Sequence, residues 1–346
     1  MATVTKSIKA DGGDYTTLTL WEAGLDDGGA YNNGDEAVGE CYDEAYDDTI
    51  LFDGGGGIPL ASIKLCVAAG EEGDGTAGTG ARIVHVGDTG ISLDIRVMMT
   101  IEDLEIDKNG TASSFINTTS MSFGVVPIVR RMLMHDLVST TTVYGVNSST
   151  RDIQIVDSIM YNVGNDGTAA DCVGIYIDAD VATGACLNCT VYNVHQDYSS
   201  GSAWGIRMNT DDADGRVRNN IVCDVSGTTA ALCYYLTSPE LATMDHNLAT
   251  DTSASGEGSL NEKTAANQFT LLTPGSEDLR LKLGADAIDA GVDLVTTPTG
   301  VNLDIQRRDR NAEDDIWDMG AAEYVAAAAT GNPWWYYMMN KRRRAC

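Results

Sequence analysis

Between residues 100 and 251 the apolar positions fall into short alternating runs, and the runs themselves recur. Gly174-Ile175-Tyr176-Ile177-Asp178 is typical of one run. A bulky residue, a glycine and a β-branched residue appear together as Phe123-Gly124-Val125, Tyr144-Gly145-Val146, Val173-Gly174-Ile175 and Trp204-Gly205-Ile206, the glycines 21, 29 and 31 residues apart. A second element keeps step: Met134-His135-Asp136-Leu137, Met160-Tyr161-Asn162-Val163, Val191-Tyr192-Asn193-Val194 and Val222-Cys223-Asp224-Val225, at gaps of 26, 31 and 31. Periods of this size mark a repeat architecture, in which no unit buries its apolar face alone and stacking supplies the core.

The units predict strands. Val, Ile, Tyr, Thr and Cys fill them, Gly, Asn, Asp and Ser punctuate them, and helical periodicity is absent. Several short strands per unit of roughly 30 residues, with corners between them, describe a coil of a parallel β-helix. In that register Tyr161 stacks near Tyr192, His135 takes the same column, and Asp157, Asn188 and Asn219 form a polar ladder at a corner.

The flanks read differently. Residues 1–70 form an N-terminal cap with the first strands: Thr19–Ala23 is a short helical candidate suited to covering the first coil, and strands are expected at Glu36–Tyr42 and Ala61–Ala68. Coils occupy residues 71–250. Residues 251–325 make a C-terminal closing segment, its first part (251–275) a Ser/Thr/Gly-rich connection, and residues 326–346 an aromatic and basic tail. The expected fold is all-β: a right-handed parallel β-helix, capped at both ends.

Composition narrows the functions. Against 51 acidic residues stand 22 basic ones, a net charge of −29, so the body would repel nucleic-acid phosphate. Such a surface serves solubility, cation binding or life in a salty medium. High glycine (37) with low proline (6) suits tight corners rather than a disordered tract. The cysteines follow no disulfide framework; Cys172, Cys186, Cys189, Cys223 and Cys233 fall on or beside strands, as small core hydrophobes do. Cys186 and Cys189 match CxxC, but no second pair completes a zinc site. The N-terminus carries no signal peptide and no stretch is long and apolar enough to span a membrane, so synthesis in a host cytoplasm is expected.

The closing segment carries a resemblance. Leu279-Arg280-Leu281-Lys282-Leu283, then Ala287-Ile288-Asp289-Ala290-Gly291, an arginine loop over Asp304–Arg310, and Asp318-Met319-Gly320-Ala321-Ala322-Glu323 resemble, in order, the C-terminal end of right-handed parallel β-helix repeat proteins of the pectin-lyase-like superfamily. The chain departs at Asp304-Ile305-Gln306-Arg307, where that family has an Asp-Gly turn. Asp11-Gly12-Gly13-Asp14-Tyr15-Thr16-Thr17-Leu18 resembles the opening of pectin methylesterase-like β-helices, and the overall make-up is similar to that of β-helix proteins of tailed bacteriophages. These resemblances imply a fold; the chemistry must be argued from sites.

The catalytic candidates are Asp211 and Asp214. Asn209-Thr210-Asp211-Asp212-Ala213-Asp214-Gly215 resembles the polygalacturonase motif whose carboxylates serve inverting hydrolysis, with Arg280 and Lys282 standing for a downstream Arg-x-Lys. The family glycine is Asp212 here, and no further Asp-Asp or Gly-His-Gly follows. Asp211, Asp212 and Asp214 also offer hard oxygen ligands for Ca²⁺, the one cofactor the sequence suggests, without EF-hand spacing. Asp43, Glu44, Asp47 and Asp48 form a similar cluster. His85, His135, His195 and His246 are scattered, and no nucleophile elbow or phosphate loop is present.

The tail asks for a partner. Trp334, Trp335, Tyr336, Tyr337, Met338 and Met339 precede Lys341, Arg342, Arg343 and Arg344. Aromatics, Met and Arg are enriched at interfaces, and the basic end is opposite in sign to the body. The expected function is a structural virion protein of a bacteriophage, a decoration, spike or fibre solenoid on the particle surface. It is held to other virion proteins through the tail residues Trp334, Trp335, Tyr336, Tyr337, Arg342, Arg343 and Arg344, as a monomer or homo-oligomer. A polysaccharide hydrolase or lyase on the same fold is the first alternative, and a non-catalytic module binding a cell-surface glycan is the second.

Overall fold

The computed structural model describes residues 2–26, 29–52, 58–84, 90–95, 97–110, 113–121, 125–149, 152–179, 184–210, 215–238, 242–295, 297–312 and 316–326. It is a parallel β-solenoid of about seven turns. Each complete coil contributes one strand to each of three sheets. The first sheet stacks Thr3–Ile8, Glu36–Cys41, Ser62–Val67, Met98–Glu102, Ile128–Arg130, Gln154–Val156, Ala185–Leu187, Gly215–Arg218 and Ala242–Asp245. The second runs from Ala45–Tyr46 through Arg82–Ile83, Glu105–Gly110, Leu133–Ser139, Ile159–Asn165, Thr190–Gln196 and Ile221–Gly227 to Leu248–Ala249. The third runs from Ile50–Phe52 through Ile91–Ile95, Ile116–Met121, Val143–Ser148, Cys172–Ala179 and Ser202–Thr210 to Ala230–Leu236. The lumen is filled by stacked apolar columns such as Val146, Ile175, Ile206 and Tyr234, all buried.

The periodic elements of the sequence are the same elements in space. Met134, Met160, Val191 and Val222 are paired coil to coil, as are His135, Tyr161, Tyr192 and Cys223. Gly145, Gly174 and Gly205 occupy adjacent coils between paired neighbours. A β-carbon on Gly174 would lie 2.5 Å from the carbonyl oxygen of Gly205, which is why the bend admits no side chain there. The first rung differs from expectation. Phe115, not Gly124, precedes Gly145: Ile116 pairs with Val146, and the Phe115 N–H donates to the Gly145 carbonyl at 2.9 Å. The 21-residue gap from Gly124 is too short for a coil here, whereas Phe115 lies 30 residues upstream. Gly124 itself lies outside the described residues.

Between the first and second sheets every coil from Glu102 onward turns through one left-handed residue: Asp103, Arg131, Asp157, Asn188, Asn219 and His246, with φ between 49° and 68°. Asn and Asp tolerate this conformation better than other side-chain-bearing residues. The expected ladder is present. Asn219 Nδ2 donates to Asn188 Oδ1 at 3.0 Å, and Asn188 Nδ2 to Asp157 Oδ1 at 2.9 Å.

The N-terminal helix, Leu18–Asp26, seats Leu18, Trp21 and Leu25 on the core, with Trp21 Nε1 donating to Tyr31 at 2.7 Å. Thr3–Ile8, expected within the cap, is already a solenoid strand, paired in parallel at all six positions with Glu36–Cys41.

The other end departs from expectation. The last coil is covered by residues 251–261, expected as a mere connection. Asp251 accepts from the Cys233 N–H at 2.8 Å and Ser253 from the Tyr234 N–H at 2.9 Å, satisfying the free edge of the third sheet. Ala254 enters the core cluster. The segment expected to close the end instead runs along the flank. Its Leu279, Leu281, Ala285, Ala287, Met319 and Ala321 form a second core with the outward face of the second sheet, against Leu133, Ile159, Tyr161, Ile221 and Cys223. Val292 exchanges two hydrogen bonds with Asn219, Asn188 donates to the Val301 carbonyl, and Arg310 Nη2 reaches Asp157 at 2.9 Å. Arg307 binds Asp103 and Glu72 still nearer the N-terminus. Continuity explains the route: an apolar sheet face is a larger reward than the rim of one coil.

Ile175→Asp should destabilise the fold by roughly 3–5 kcal/mol, the cost of an unpaired charge at a buried position. Thermal unfolding checks this; an unchanged midpoint would mean that Ile175 does not face the lumen.

Candidate functional site

With the second sheet covered, the outward face of the third is, among the described residues, partly exposed. Strand alternation turns Ile175, Ile177, Ile206 and Met208 inward and sends Tyr176, Asp178, Arg207 and Asn209 outward. Parallel in-register stacking then builds columns. One carries Asn117, Asn147, Tyr176, Arg207 and Tyr235 on successive coils; beside it run Tyr144, Val173, Trp204 and Leu232.

Three rings surround one guanidinium, and a fourth stacks beside them. Tyr144 and Tyr176 lie 5.4 Å apart at 34°, and Trp204 and Tyr235 5.7 Å apart at 31°. The Arg207 guanidinium lies between the two pairs, 5.1 Å from the Tyr176 ring centroid, 4.8 Å from Trp204 and 5.7 Å from Tyr235. Each such cation–ring contact is attractive, by about 0.5–1 kcal/mol when exposed. Asp171 approaches Arg207 at 3.9 Å. Along the edge Asn209 Nδ2 donates to the Tyr176 hydroxyl at 2.8 Å, and that hydroxyl to Asp178 at 3.2 Å. Burial, with Asp178 second, pushes the Tyr176 phenol up to about 12, so it stays a donor. Asn147 Nδ2 donates to Asn117 Oδ1 at 3.0 Å. Three atoms of this face are buried without a partner: Arg207 Nε, Asn147 Oδ1 and Asn209 Oδ1. With strands about 4.8 Å apart, the platform from Tyr144 to Tyr235 is about 14 Å long, parallel to the solenoid axis.

The sequence-derived candidates distribute unevenly. Asp211, Asp212 and Asp214 lie outside the described residues, as do Trp334, Trp335, Tyr336, Tyr337, Arg342, Arg343 and Arg344. Asn209, first residue of the hydrolase-like motif, belongs to the aromatic face. Arg280 does not join it: its guanidinium makes two 2.7 Å bonds to Asp278, and Lys282 donates to the Ala266 carbonyl. These two residues tie the closing segment to itself. Cys186 and Cys189 are buried, and the Cys189 thiol donates to the Leu187 carbonyl at 3.3 Å. Burial drives the Cys186 thiol well above its ordinary range, as suits a core residue rather than a thiolate ligand.

Two described clusters have a metal-like donor set. In Glu105, Asp107 and His135 both imidazole nitrogens are engaged, Nε2 with Glu105 and Nδ1 with Asp136, each at 2.9 Å. The ring stacks on Tyr161 at 5.0 Å and 7°. Burial opposes its charge, but the bonds to Asp136 and Glu105 outweigh burial and hold His135 at about 9. The imidazolium is therefore the cation of this cluster. The second, Asp166, His195 and Asp197, sits at the surface corner before the third sheet, with His195 Nε2 3.5 Å from Asp166. A void of about 20 Å³ beside Asp103, Glu105 and Arg131 has room for a water.

The sequence did not single out the aromatic face. Tyr144 and Trp204 each precede a glycine, Tyr176 follows its glycine by two residues, and Tyr235 stands on a coil with Cys233 at the glycine's place, so only the coil register brings the four together. No helix among the described residues is long and apolar enough to cross a membrane. His135 sets a pH dependence. Its folded value is raised above 6.5, so its contribution is complete below about pH 6.5 and lost as pH rises through about 9. Chemical denaturation should show wild type losing about 3 kcal/mol across that window, and His135→Gln losing little. No protein-family model matches the chain, and no curated protein matches it.

Proposed function

We propose that this protein is a non-catalytic glycan-binding solenoid that seats a sugar chain along its third sheet. The observation that carries the reading is the partly exposed face on which Tyr176, Trp204 and Tyr235 surround Arg207 and Tyr144 stacks on Tyr176, flanked by Asn147, Asn209, Asp171 and Asp178. Sugars present apolar C–H faces edged by hydroxyls. Rings take the faces, and planar amides, carboxylates and guanidinium take the hydroxyls. The platform's length along the axis suits an oligosaccharide rather than a single ring.

The setting we propose is the surface of a bacteriophage particle, where the acidic solenoid displays this face and residues 331–346 anchor it to other virion proteins. The chain's make-up and its aromatic-basic tail support that setting. Deleting 331–346 should leave unfolding and glycan binding unchanged and abolish co-purification with particles. A truncation that still co-purifies would move the anchor elsewhere.

A hydrolase or lyase is the second reading. Its support is that Asp211 and Asp214 follow directly on the strand bearing Trp204, Arg207 and Asn209. Release of reducing or unsaturated ends, lost in Asp211→Asn or Asp214→Asn, would establish it in place of simple binding.

Titration calorimetry against a panel of bacterial and plant oligosaccharides tests the main proposal. Trp204→Ala should weaken the best ligand by about 10–100-fold, the loss of one large buried contact, with little change in thermal stability. Binding that ignores Trp204 and Tyr176 alike would place the site elsewhere.

A further inference from the structure

We propose that Asp166, His195 and Asp197 form a binding site for a transition-metal dication of the Zn²⁺ class. The site lies at the corner between the second and third sheets and is independent of the glycan reading. Coil register assembles it. Asn165 and Gln196 are the last paired residues of their strands, and Asp166 and Asp197 follow at the same place on successive coils. Their backbones are fixed there: the Asp166 N–H donates to the Ser139 carbonyl at 3.0 Å, and the Asp197 N–H to the Asn165 carbonyl at 3.1 Å. One ligand atom from each of the three side chains lies within 4.8 Å of the others.

The imidazole is seated for this role. His195 pairs with Gly164, and a β-carbon on Gly164 would lie 2.1 Å from His195 Nε2. The ring therefore lies back over the preceding coil, in space that a side chain would fill, beside Asp166. Glycine inside a strand weakens it and marks a close approach, here that of the ring. Hydrogen bonds hold neither ring nitrogen among the described residues. Nδ1 is buried without a partner, and Nε2 stands 3.5 Å from Asp166 Oδ1, beyond the usual N–H···O range. That separation suits two donors sharing one ion: zinc bonds of about 2.0–2.1 Å at the tetrahedral angle put neighbouring ligand atoms about 3.3 Å apart. The Asp166 and Asp197 side chains are exposed, so both can turn onto the ion. An imidazole nitrogen beside two carboxylates favours Zn²⁺ over Ca²⁺ or Mg²⁺, which take oxygen. Three protein donors leave a further position for water. Bound here, the ion ties two coils together and stabilises the folded chain by mass action.

Calorimetric titration of zinc chloride into the full-length, chelator-stripped and reduced protein tests this. The tightest zinc site should be lost in His195→Gln and weakened ten-fold or more in Asp166→Asn and in Asp197→Asn. Excess calcium chloride should not displace the zinc, and Co²⁺ in its place should show d–d bands without thiolate charge transfer. Circular dichroism and the metal-free unfolding midpoint establish that each variant is folded. The two exposed aspartates carry the test should His195→Gln fail to fold. Zinc should also raise the wild-type midpoint and leave that of the folded variants where it was. Absence of zinc binding by the wild type would overturn the proposal. So would a tightest site that survives His195→Gln or both Asp→Asn changes, that calcium displaces, or that shows thiolate bands with Co²⁺.

Discussion

The structure hangs on the corner between the first and second sheets. From Glu102 onward each coil passes it through a single left-handed residue, and the side chains of Asp103, Arg131, Asp157, Asn188 and Asn219 there are buried. A buried amide or carboxylate is tolerable only if its hydrogen bonds are made within the protein. Asn219 and Asn188 make theirs by giving the amide to the coil before and taking backbone groups of the flanking segment. A coil shifted by one residue would lose these bonds and also turn its apolar side chains outward. One corner thus sets the register of all three sheets.

Once register is fixed, the three outer faces diverge. The second sheet shows Tyr161, Cys223 and Ile221, which would be a liability in water, and the flanking segment covers them. Part of the first sheet is closed by Leu294, Val301 and Trp317 over Val156, Ala185 and Leu187. Among the described residues the third sheet leaves its large rings half-buried to exposed, spaced by polar side chains. The fully buried pair of Arg310 and Asp157 belongs to the same division. Burial raises the carboxyl, and Arg310 and Asn188 pull it back, so the pair adds more to where the segment docks than to how tightly the protein folds.

The strands and their coil-to-coil pairing were legible because they depend on local composition repeated at a fixed period. Met160 over Val191 and Tyr161 over Tyr192 could be read by alignment of the chain with itself. Gly124 shows the limit of that method: it carries the right neighbours at the wrong distance, and only the hydrogen bond from Phe115 to Gly145 reveals the true rung. The flanking route of residues 287–323 was not legible, since Arg310 and Asp157 are 153 residues apart and nothing local links them. The aromatic platform was hidden for a related reason. Its members lie on four coils, and whether Tyr176 points out depends on the inward turn of Ile175 and Ile177.

The flanking segment has a consequence for how such a molecule can evolve. Solenoids ordinarily lengthen by duplicating a unit, since each coil knows only its neighbours. Here one stretch of chain grips Glu72, Asp103, Asp157, Asn188 and Asn219 in a fixed order, with Val292 and Arg307 as distant grips. An inserted or deleted coil would pull those grips out of step with their partners by one strand spacing. The clasp therefore acts as a ruler, and the number of turns between its grips is inherited as a unit with the segment that measures it.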